Sequence, residues 1–230
     1  MDGPDTAPHD GDPEIQRASI EALIDRAVAA LNTGDRATAA ELADQILATD
    51  RGNTDAEDLL AASTNIGEIR RLTMLVADLV DSTALSTRIG PDAYHSVVGG
   101  FREQAQRIIA EHGGHIGGTA GDGIFAVFGH PVAHMDDARR AVRVALDICG
   151  HVARISEQAR RRYGVEISVR IGIHRGLVYL DVAHDDVYGL AANLAARVSG
   201  LAPPGAVVVS TAVESLVRND FDLVEQPASI

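Results

Sequence analysis

The order of apolar segments after Arg70 constrains the fold of this 230-residue chain more than any other feature. Runs with strand and helix periodicity follow one another as strand, helix, strand, strand, helix, strand. The predicted strands are Leu72–Ala77, His115–Thr119, Ile124–Phe128 and Glu166–His174, and the predicted helices are Pro91–His112 and His134–Tyr163. This order is typical of the ferredoxin-like βαββαβ arrangement, an antiparallel sheet with helices on one face.

Three more segments follow this unit. They are predicted as a helix over Leu190–Leu201, a strand over Ala206–Ser210 and a short helix over Thr211–Val217. Residues 66–230 are therefore expected to form one domain of the α/β (α+β) class.

The first 65 residues differ in charge from the rest. They have 14 acidic and 4 basic side chains, whereas residues 66–230 have 19 acidic and 16 basic side chains. Residues 1–13 are rich in Asp, Gly and Pro, and we expect a flexible leader there. Over residues 14–65 apolar residues recur at helical spacing, and Asn32–Asp35 is a helix stop, so we expect a helical hairpin module.

The hairpin pattern resembles a single tetratricopeptide-like unit through a set of small and turn residues: Ala29, Gly34, Ala40, Ala43, Leu47, Asp50, Asn53 and Ala56. One such repeat cannot bury its apolar faces alone. Two interpretations stay open at this point. The module either packs on the main domain as a solubilising hairpin, or offers a surface for dimerisation or for a protein partner.

Composition excludes several classes of protein. The net charge of −13 argues against a general nucleic-acid binder, which needs basic surface. A single cysteine, Cys149, excludes an internal disulfide framework and a cysteine zinc cluster. The sequence also has no apolar run long enough to cross a bilayer and no secretion signal. We therefore expect a cytoplasmic protein with neither a membrane nor a nucleic-acid partner.

Two carboxylates are predicted to meet at one edge of the sheet. Asp78 ends the first strand, and Asp122 lies in the turn Ala120–Gly123 between the second and third strands. Oxygen ligands of this kind suit Mg²⁺, which completes its shell with waters and substrate phosphates. The tight turn Leu79–Thr83 after Asp78 leads into a helix start, where free backbone N–H groups can hold phosphate oxygens. The combination indicates a nucleoside triphosphate bound with metal.

Each of these features has an ordinary structural explanation when taken alone. An aspartate at a strand end is more often a helix cap, and Gly-Asp-Gly is more often only a turn. Asn193 and Arg197 lie four residues apart on one helix face, which usually means a solvated surface pair. Their order and spacing over the whole domain make the functional interpretation stronger.

Five motifs of the domain resemble the class III nucleotidyl cyclase catalytic domain. They are Val76–Thr83, His112–Gly114, Gly121–Gly129, Arg170–Gly176 and Tyr188–Arg197. The resemblance runs from about Arg70 to the C-terminus and omits the N-terminal module. It implies a palm-type domain that works as a homodimer, with two active sites at the interface and each site built from both chains.

The resemblance also assigns roles to single residues. Asp78 and Asp122 match the aspartates that hold two Mg²⁺ or Mn²⁺ ions per active site. Leu79, Ser82 and Thr83 match the loop that binds the triphosphate, and Arg170 matches an arginine on the terminal phosphates. Three positions of the second chain complete the site. Asp186 matches the position that reads the purine amino group, and Asn193 matches the residue that orients the ribose. Arg197 matches the arginine that stabilises the transition state.

The sequence departs from the family pattern in two places. The adenine-reading lysine position is Gly118, and no neighbouring lysine can substitute, because all 20 basic residues are arginine. The family also continues through a final strand pair with a phosphate-binding lysine, whereas this sequence stops at Ile230. Either the sequence is truncated there, or the natural protein lacks that hairpin. Both departures predict reduced activity.

The leading hypothesis is an adenylate cyclase that converts ATP to cyclic AMP and pyrophosphate, with low activity. The alternative is a catalytically impaired, cyclase-like nucleotide-binding or regulatory interaction domain. A guanylate cyclase is third, because the carboxylate of Asp186 accepts from the adenine amino group and repels the guanine carbonyl oxygen.

Overall fold

The computed structural model describes residues 13–61, 68–181 and 186–226. The predicted leader therefore lies almost wholly outside the described residues. The chain divides into two compact units, Met1–Ile69 and Arg70–Ile230, and each has buried apolar residues of its own.

The first unit contains three described helices, α1 (Pro13–Asn32), α2 (Arg36–Thr49) and α3 (Thr54–Ala61). Gly34 ends α1 at a φ of +82°, a conformation that favours glycine. The Asp35 carboxylate accepts a hydrogen bond of 3.1 Å from the Thr38 backbone N–H and so caps α2. The predicted helix stop and cap are both confirmed.

The predicted hairpin is incomplete, because α3 packs against both α1 and α2. Its Leu59 is buried, as are Ile24 of α1 and Ile46 of α2. An amphipathic pair of helices leaves an apolar face uncovered, and a third helix from the same chain covers it here.

The second unit is a sheet with helices on both faces. Its strands are β1 (Glu68–Leu79), β2 (His115–Ala120), β3 (Gly123–Phe128), β4 (Val169–Asp181), β5 (Asp186–Tyr188) and β6 (Val207–Val209). Its helices are α4 (Ser82–Ile89), α5 (Pro91–Glu111), α6 (Asp137–Tyr163), α7 (Leu190–Leu201) and α8 (Thr211–Val217). The predicted mixed α/β class is confirmed.

Three predicted segments have bounds that differ by three or more residues in the structure. The first strand, expected over Leu72–Ala77, spans Glu68–Leu79. The fourth strand was expected to end at His174 but continues to Asp181, since Leu177, Val178 and Leu180 remain buried in the sheet. The helix expected from His134 begins at Asp137, whose carboxylate accepts a 2.8 Å hydrogen bond from the His134 backbone N–H and holds a turn there.

The strands follow the order β2-β3-β1-β4-β5, and β6 also pairs with β4. Strand β1 runs antiparallel to β3, with Thr73 opposite Phe128 and Ala77 opposite Ile124. Strand β6 runs parallel to β4. The pairs of β1 with β3 and of β2 with β3 are antiparallel, as the βαββαβ order predicts, and β6, which lies outside that order, makes the whole sheet mixed.

The two helices of the βαββαβ order, α5 and α6, cover one face of the sheet as expected, and α7, which lies outside that order, covers the other face. On one face, Leu75 and Ala77 of β1 share a core with α5, α6 and α8. On the other face, Leu72 and Met74 of β1 pack in a separate core with Ala191 and Ala195 of α7. Because alternate residues of β1 serve opposite cores, the strand is covered on both sides.

Helix α7 lies directly on β4 at Gly172. A Cβ at Gly172 would stand 2.0 Å from the Ser199 backbone nitrogen, so only glycine permits this approach. The contact fixes α7 against the strand that also carries Arg170.

We expect Gly172→Ala to destabilise the second unit by about 1–3 kcal/mol or more, because the new methyl group meets helix backbone and not a movable side chain. Gly100→Ala is the matched control, since a Cβ there meets nothing within 4 Å. It should stabilise α5 by about 0.5–1 kcal/mol. Urea unfolding of both variants measures the difference, and equal stability would contradict the close packing of α7 on β4.

The stability of the first unit should depend on Asp58. Its partial burial, with Asp55 and Glu57 nearby, raises the pKa of Asp58 from 3.8 to about 6. The folded unit therefore retains a proton that the unfolded chain releases, and stability falls as pH rises from about 4 to about 6. After allowance for solvent screening, Asp58→Asn should add roughly 1 kcal/mol near pH 7 and little near pH 4. Unfolding curves at both pH values check this, and an equal effect at both would refute it.

Candidate functional site

Asp78 and Asp122 lie at the same edge of the sheet. The ladder between β1 and β3 has Ala77 opposite Ile124, so Asp78 lies one position beyond that pair and Asp122 two. Asp122 lies in the turn that joins β2 to β3, where Gly121 adopts a φ of +59°. The antiparallel pairing thus brings together two carboxylates that are 44 positions apart in the sequence.

Asp78 forms an ion pair with Arg170 near the start of β4. The Arg170 Nη2 atom donates to Asp78 Oδ2 at 2.9 Å, and both side chains are about one-third exposed. Next to this pair, the Val80 backbone N–H donates to the Ser168 carbonyl oxygen at 2.9 Å. Two contacts therefore fasten the end of β1 to the start of β4.

Asp122 has an oxygen that needs a partner. Its Oδ2 atom is buried and accepts no hydrogen bond from any described residue. A buried carboxylate oxygen left in this state is costly, and a bound cation would satisfy it. Among the described residues no group of three or more His, Cys, Asp or Glu side chains could hold a metal. Two carboxylates at one edge nevertheless fit Mg²⁺ or Mn²⁺, which take their remaining ligands from phosphate and water.

The loop after Asp78 turns sharply into α4. Leu79 is buried, so its side chain anchors the turn in the core. Asp81 adopts a left-handed conformation at φ +51°, which is uncommon for a residue other than glycine. Helix α4 then begins at Ser82, and Asp81 forms no side-chain hydrogen bond that caps it. The first N–H groups of α4, at Ser82 and Thr83, are thus placed to face an anion.

Asn193 and Arg197 lie one turn apart on α7, and both side chains are exposed. Neither makes a described hydrogen bond or ion pair with Asp78, Asp122 or Arg170 in the same chain. The structure therefore brings Asp78 and Arg170 into contact within one chain, but it does not add Asn193 and Arg197 to that group.

The positions expected to read the purine base lie on β2 and β5. Asp186 opens β5 and pairs with Asp181 across the ladder, while its side chain is outside the described part of the structure. Gly118 lies at a register shift of β2 opposite Phe125, and a Cβ there would meet nothing within 4 Å. At the neighbouring Gly117, a Cβ would stand 3.8 Å from Val187, the residue after Asp186. The strands that carry the two expected base-reading positions stand at opposite ends of the strand order, and they approach each other where Gly117 lies near Val187.

Comparison with known proteins identifies the family. The profile of the adenylate and guanylate cyclase catalytic domain matches residues 65–229. An adenylate cyclase of Streptomyces coelicolor is 30% identical over 153 residues, which cover 65% of this chain and 35% of that protein. The human guanylate cyclase soluble subunit beta-2 is 30% identical over 168 residues, covering 70% of this chain and 26% of that protein.

The chain belongs to the adenylate and guanylate cyclase family. The cyclase domain also resembles the crystal structure of the adenylyl cyclase CyaB from P. aeruginosa in its fold. That match has a TM-score of 0.61 and 24% identity, covering 66% of this chain and 84% of the other. The chain spans about a third or less of the length of the two curated relatives above.

The family match starts at residue 65 and gives no support to the tetratricopeptide interpretation of the first unit. Cyclases of this class are generally metal-dependent and often act as dimers, and their substrates are nucleotides. None of the helices within residues 13–61, 68–181 and 186–226 combines the length and apolar character that crossing a bilayer requires.

Sequence reasoning missed the contact between Arg170 and Asp78. It predicted that Arg170 binds phosphates and that Asp78 binds only metal ions. A signal was available, because in the ferredoxin-like order the first and last strands are neighbours that run in opposite directions. The end of β1 was therefore bound to meet the start of β4.

Proposed function

We propose that this chain is the catalytic part of an adenylate cyclase, which forms cyclic AMP and pyrophosphate from ATP. The observation that carries the proposal is the meeting of Asp78, Asp122 and Arg170 at one sheet edge, beside the turn into α4. Carboxylates, a guanidinium and free N–H groups together suit a triphosphate with its cations.

In this proposal Asp78 and Asp122 hold two Mg²⁺ or Mn²⁺ ions in each active site. The buried Oδ2 of Asp122 supports that role. Divalent cations held there would lower the pKa of the ribose 3′-hydroxyl and neutralise charge on the α-phosphate and the leaving pyrophosphate.

The turn after β1 binds the triphosphate. Backbone N–H groups around Leu79, Ser82 and Thr83 donate to phosphate oxygens, and the partial positive charge of the α4 N-terminus adds to the attraction. Arg170 can reach the terminal phosphates, since a guanidinium binds phosphate in the same forked geometry as carboxylate. These residues hold the α-phosphate in line with the attacking hydroxyl.

A second copy of the chain supplies the remaining groups. Asn193 and Arg197 are exposed on one face of α7, so they are available to the site of another subunit. Asn193 orients the ribose, and Arg197 donates to the phosphoryl oxygens as charge builds there. An arginine in this position contributes about 10³-fold or more in phosphoryl transfer. The proposal therefore requires a homodimer with its active sites at the interface.

Selectivity for ATP rests on Asp186 in this proposal. Its carboxylate accepts from the adenine amino group and repels the guanine carbonyl oxygen. Gly118 adds no base contact, and the space beside it is open. A missing polar contact of this kind can cost on the order of 10²-fold or more. We therefore expect weak ATP binding and low activity.

The same open position favours a second candidate, a cyclase-like domain that binds nucleotide or a regulatory partner with little or no turnover. In that case the helices α1–α3 are the candidate surface for a protein partner. The two candidates differ in one measurable property, the formation of a cyclic nucleotide.

Purified protein incubated with Mn²⁺ and ATP should form cyclic AMP, and with GTP it should form less cyclic GMP. Asp78→Ala should abolish product, because it removes a metal ligand. Asp92→Ala is the matched control, since Asp92 is an exposed carboxylate in the first turn of α5. Chromatography or mass spectrometry of the products measures the outcome. Bound nucleotide without any product would favour the second candidate.

Gly118→Lys should raise activity with ATP, because the ammonium group donates to the adenine ring. Gly118 has a φ of +157°, so any side chain adds backbone strain there. Gly118→Ala carries the same strain without the donor and is the matched control. We expect the Lys variant to exceed the Ala variant about 10-fold or more in kcat/KM for ATP. Equal values would refute the missing base contact.

A further inference from the structure

The contact between Arg170 and Asp78 has a consequence for metal binding. Arg170 Nη2 donates to Asp78 Oδ2 at 2.9 Å, so one oxygen of a proposed metal ligand already has a cationic partner. The pair is held in place from both sides. Val80 is fastened to Ser168, and β4 is fixed by α7 at Gly172. These contacts hold the two strand ends together, so rotation of the Arg170 or Asp78 side chain is the simplest way to separate the guanidinium from the carboxylate.

A divalent cation on Asp78 would stand close to the Arg170 charge. Two positive groups within a few ångströms repel each other, and a partly buried site screens that repulsion less than bulk water does. Among the described residues, the pairing of β1 with β3 brings one other carboxylate to this edge, that of Asp122. A free cation thus gains little from Asp78 while Arg170 stays on it.

A polyphosphate changes this balance. It offers Arg170 a second anion with matching forked geometry, and it brings negative charge to the cations. Arg170 can then leave Asp78 and bind the phosphate. Asp78, freed from Arg170, can bind the metal ion.

We propose that Arg170 withholds Asp78 from free divalent cations until a nucleoside triphosphate provides the guanidinium with another partner. This inference rests on the proposed function, since it assumes that Asp78 is a metal ligand. Arg170 is then a positioning residue that couples metal binding to substrate binding, and the coupling is reciprocal. Metal enters together with nucleotide and is held poorly alone.

The test measures Mn²⁺ binding to the full chain without nucleotide, by the loss of the electron paramagnetic resonance signal of free Mn²⁺. Arg170→Gln and Arg170→Met, which remove the charge, should each tighten Mn²⁺ binding about 3- to 10-fold. Arg170→Lys keeps the charge and should bind Mn²⁺ about as weakly as the wild-type chain. Arg154→Gln removes one positive charge from an exposed position on α6 and should have no effect.

A double-mutant cycle separates this effect from a general change in charge. In an Asp78→Asn background, Arg170→Gln should no longer tighten Mn²⁺ binding. At saturating Mn²⁺, the affinity for 3′-deoxy-ATP, which cannot be cyclised, should fall about 10-fold in Arg170→Gln. That measurement tests whether Arg170 binds the phosphates once it has left Asp78.

Several results would overturn the proposal. They are unchanged or weaker Mn²⁺ binding in both neutral variants, no Mn²⁺ binding by any form, or an equal effect in the Asp78→Asn background. Mn²⁺ binding requires no turnover, so the test is separate from the cyclase assay. Tightened Mn²⁺ binding with no cyclic product would support the exchange and refute the proposed activity.

Discussion

The pairing of β1 with its two neighbours is the constraint on which the rest of the second unit depends. Strand β1 lies between β3 and β4, and alternate residues enter two separate cores. The strand therefore cannot shift along its axis without exposing apolar side chains on both faces, because a slip of one residue exchanges the faces. That rigidity fixes Asp78 relative to the Asp122 turn and to Arg170. A site of mobile carboxylates would not hold the spacing that two cations and a triphosphate require.

Local features of the fold were predictable because local chemistry decides them. Gly34 and Asp35 end one helix and start the next through a left-handed backbone and a cap, and neither depends on distant residues. The Gly121–Gly123 turn joins β2 and β3 for the same reason. From these strands the sequence also predicted that Asp78 and Asp122 meet at one edge, since an antiparallel neighbour brings the end of one strand to the start of the next.

The remaining features depend on partners that are far apart in the sequence. Asp78 and Arg170 are 92 positions apart, and a strand order that places β4 beside β1 does not say which side chains at the two strand ends make contact. The placement of α7 on the second face depends on Gly172, because a missing side chain leaves no signal in an apolar pattern. Similarly, β4 continues past His174 only because α7 and β5 cover its second half. In each case the decisive interaction is one of packing between elements.

The proposed site offers more binding groups to the phosphate end of a nucleotide than to its base. At the proposed phosphate end lie a guanidinium, the α4 N-terminus and two carboxylates that would hold cations, and these groups favour polyphosphates as a class. At the base end, Gly118 provides no donor, and a chain without lysine has no other ammonium to place there. Binding free energy from phosphates is common to ATP and GTP and cannot separate them, because selectivity is a difference of affinities. Discrimination between purines in the proposed enzyme therefore falls to Asp186, and the cyclase should be more selective for a triphosphate than for its base.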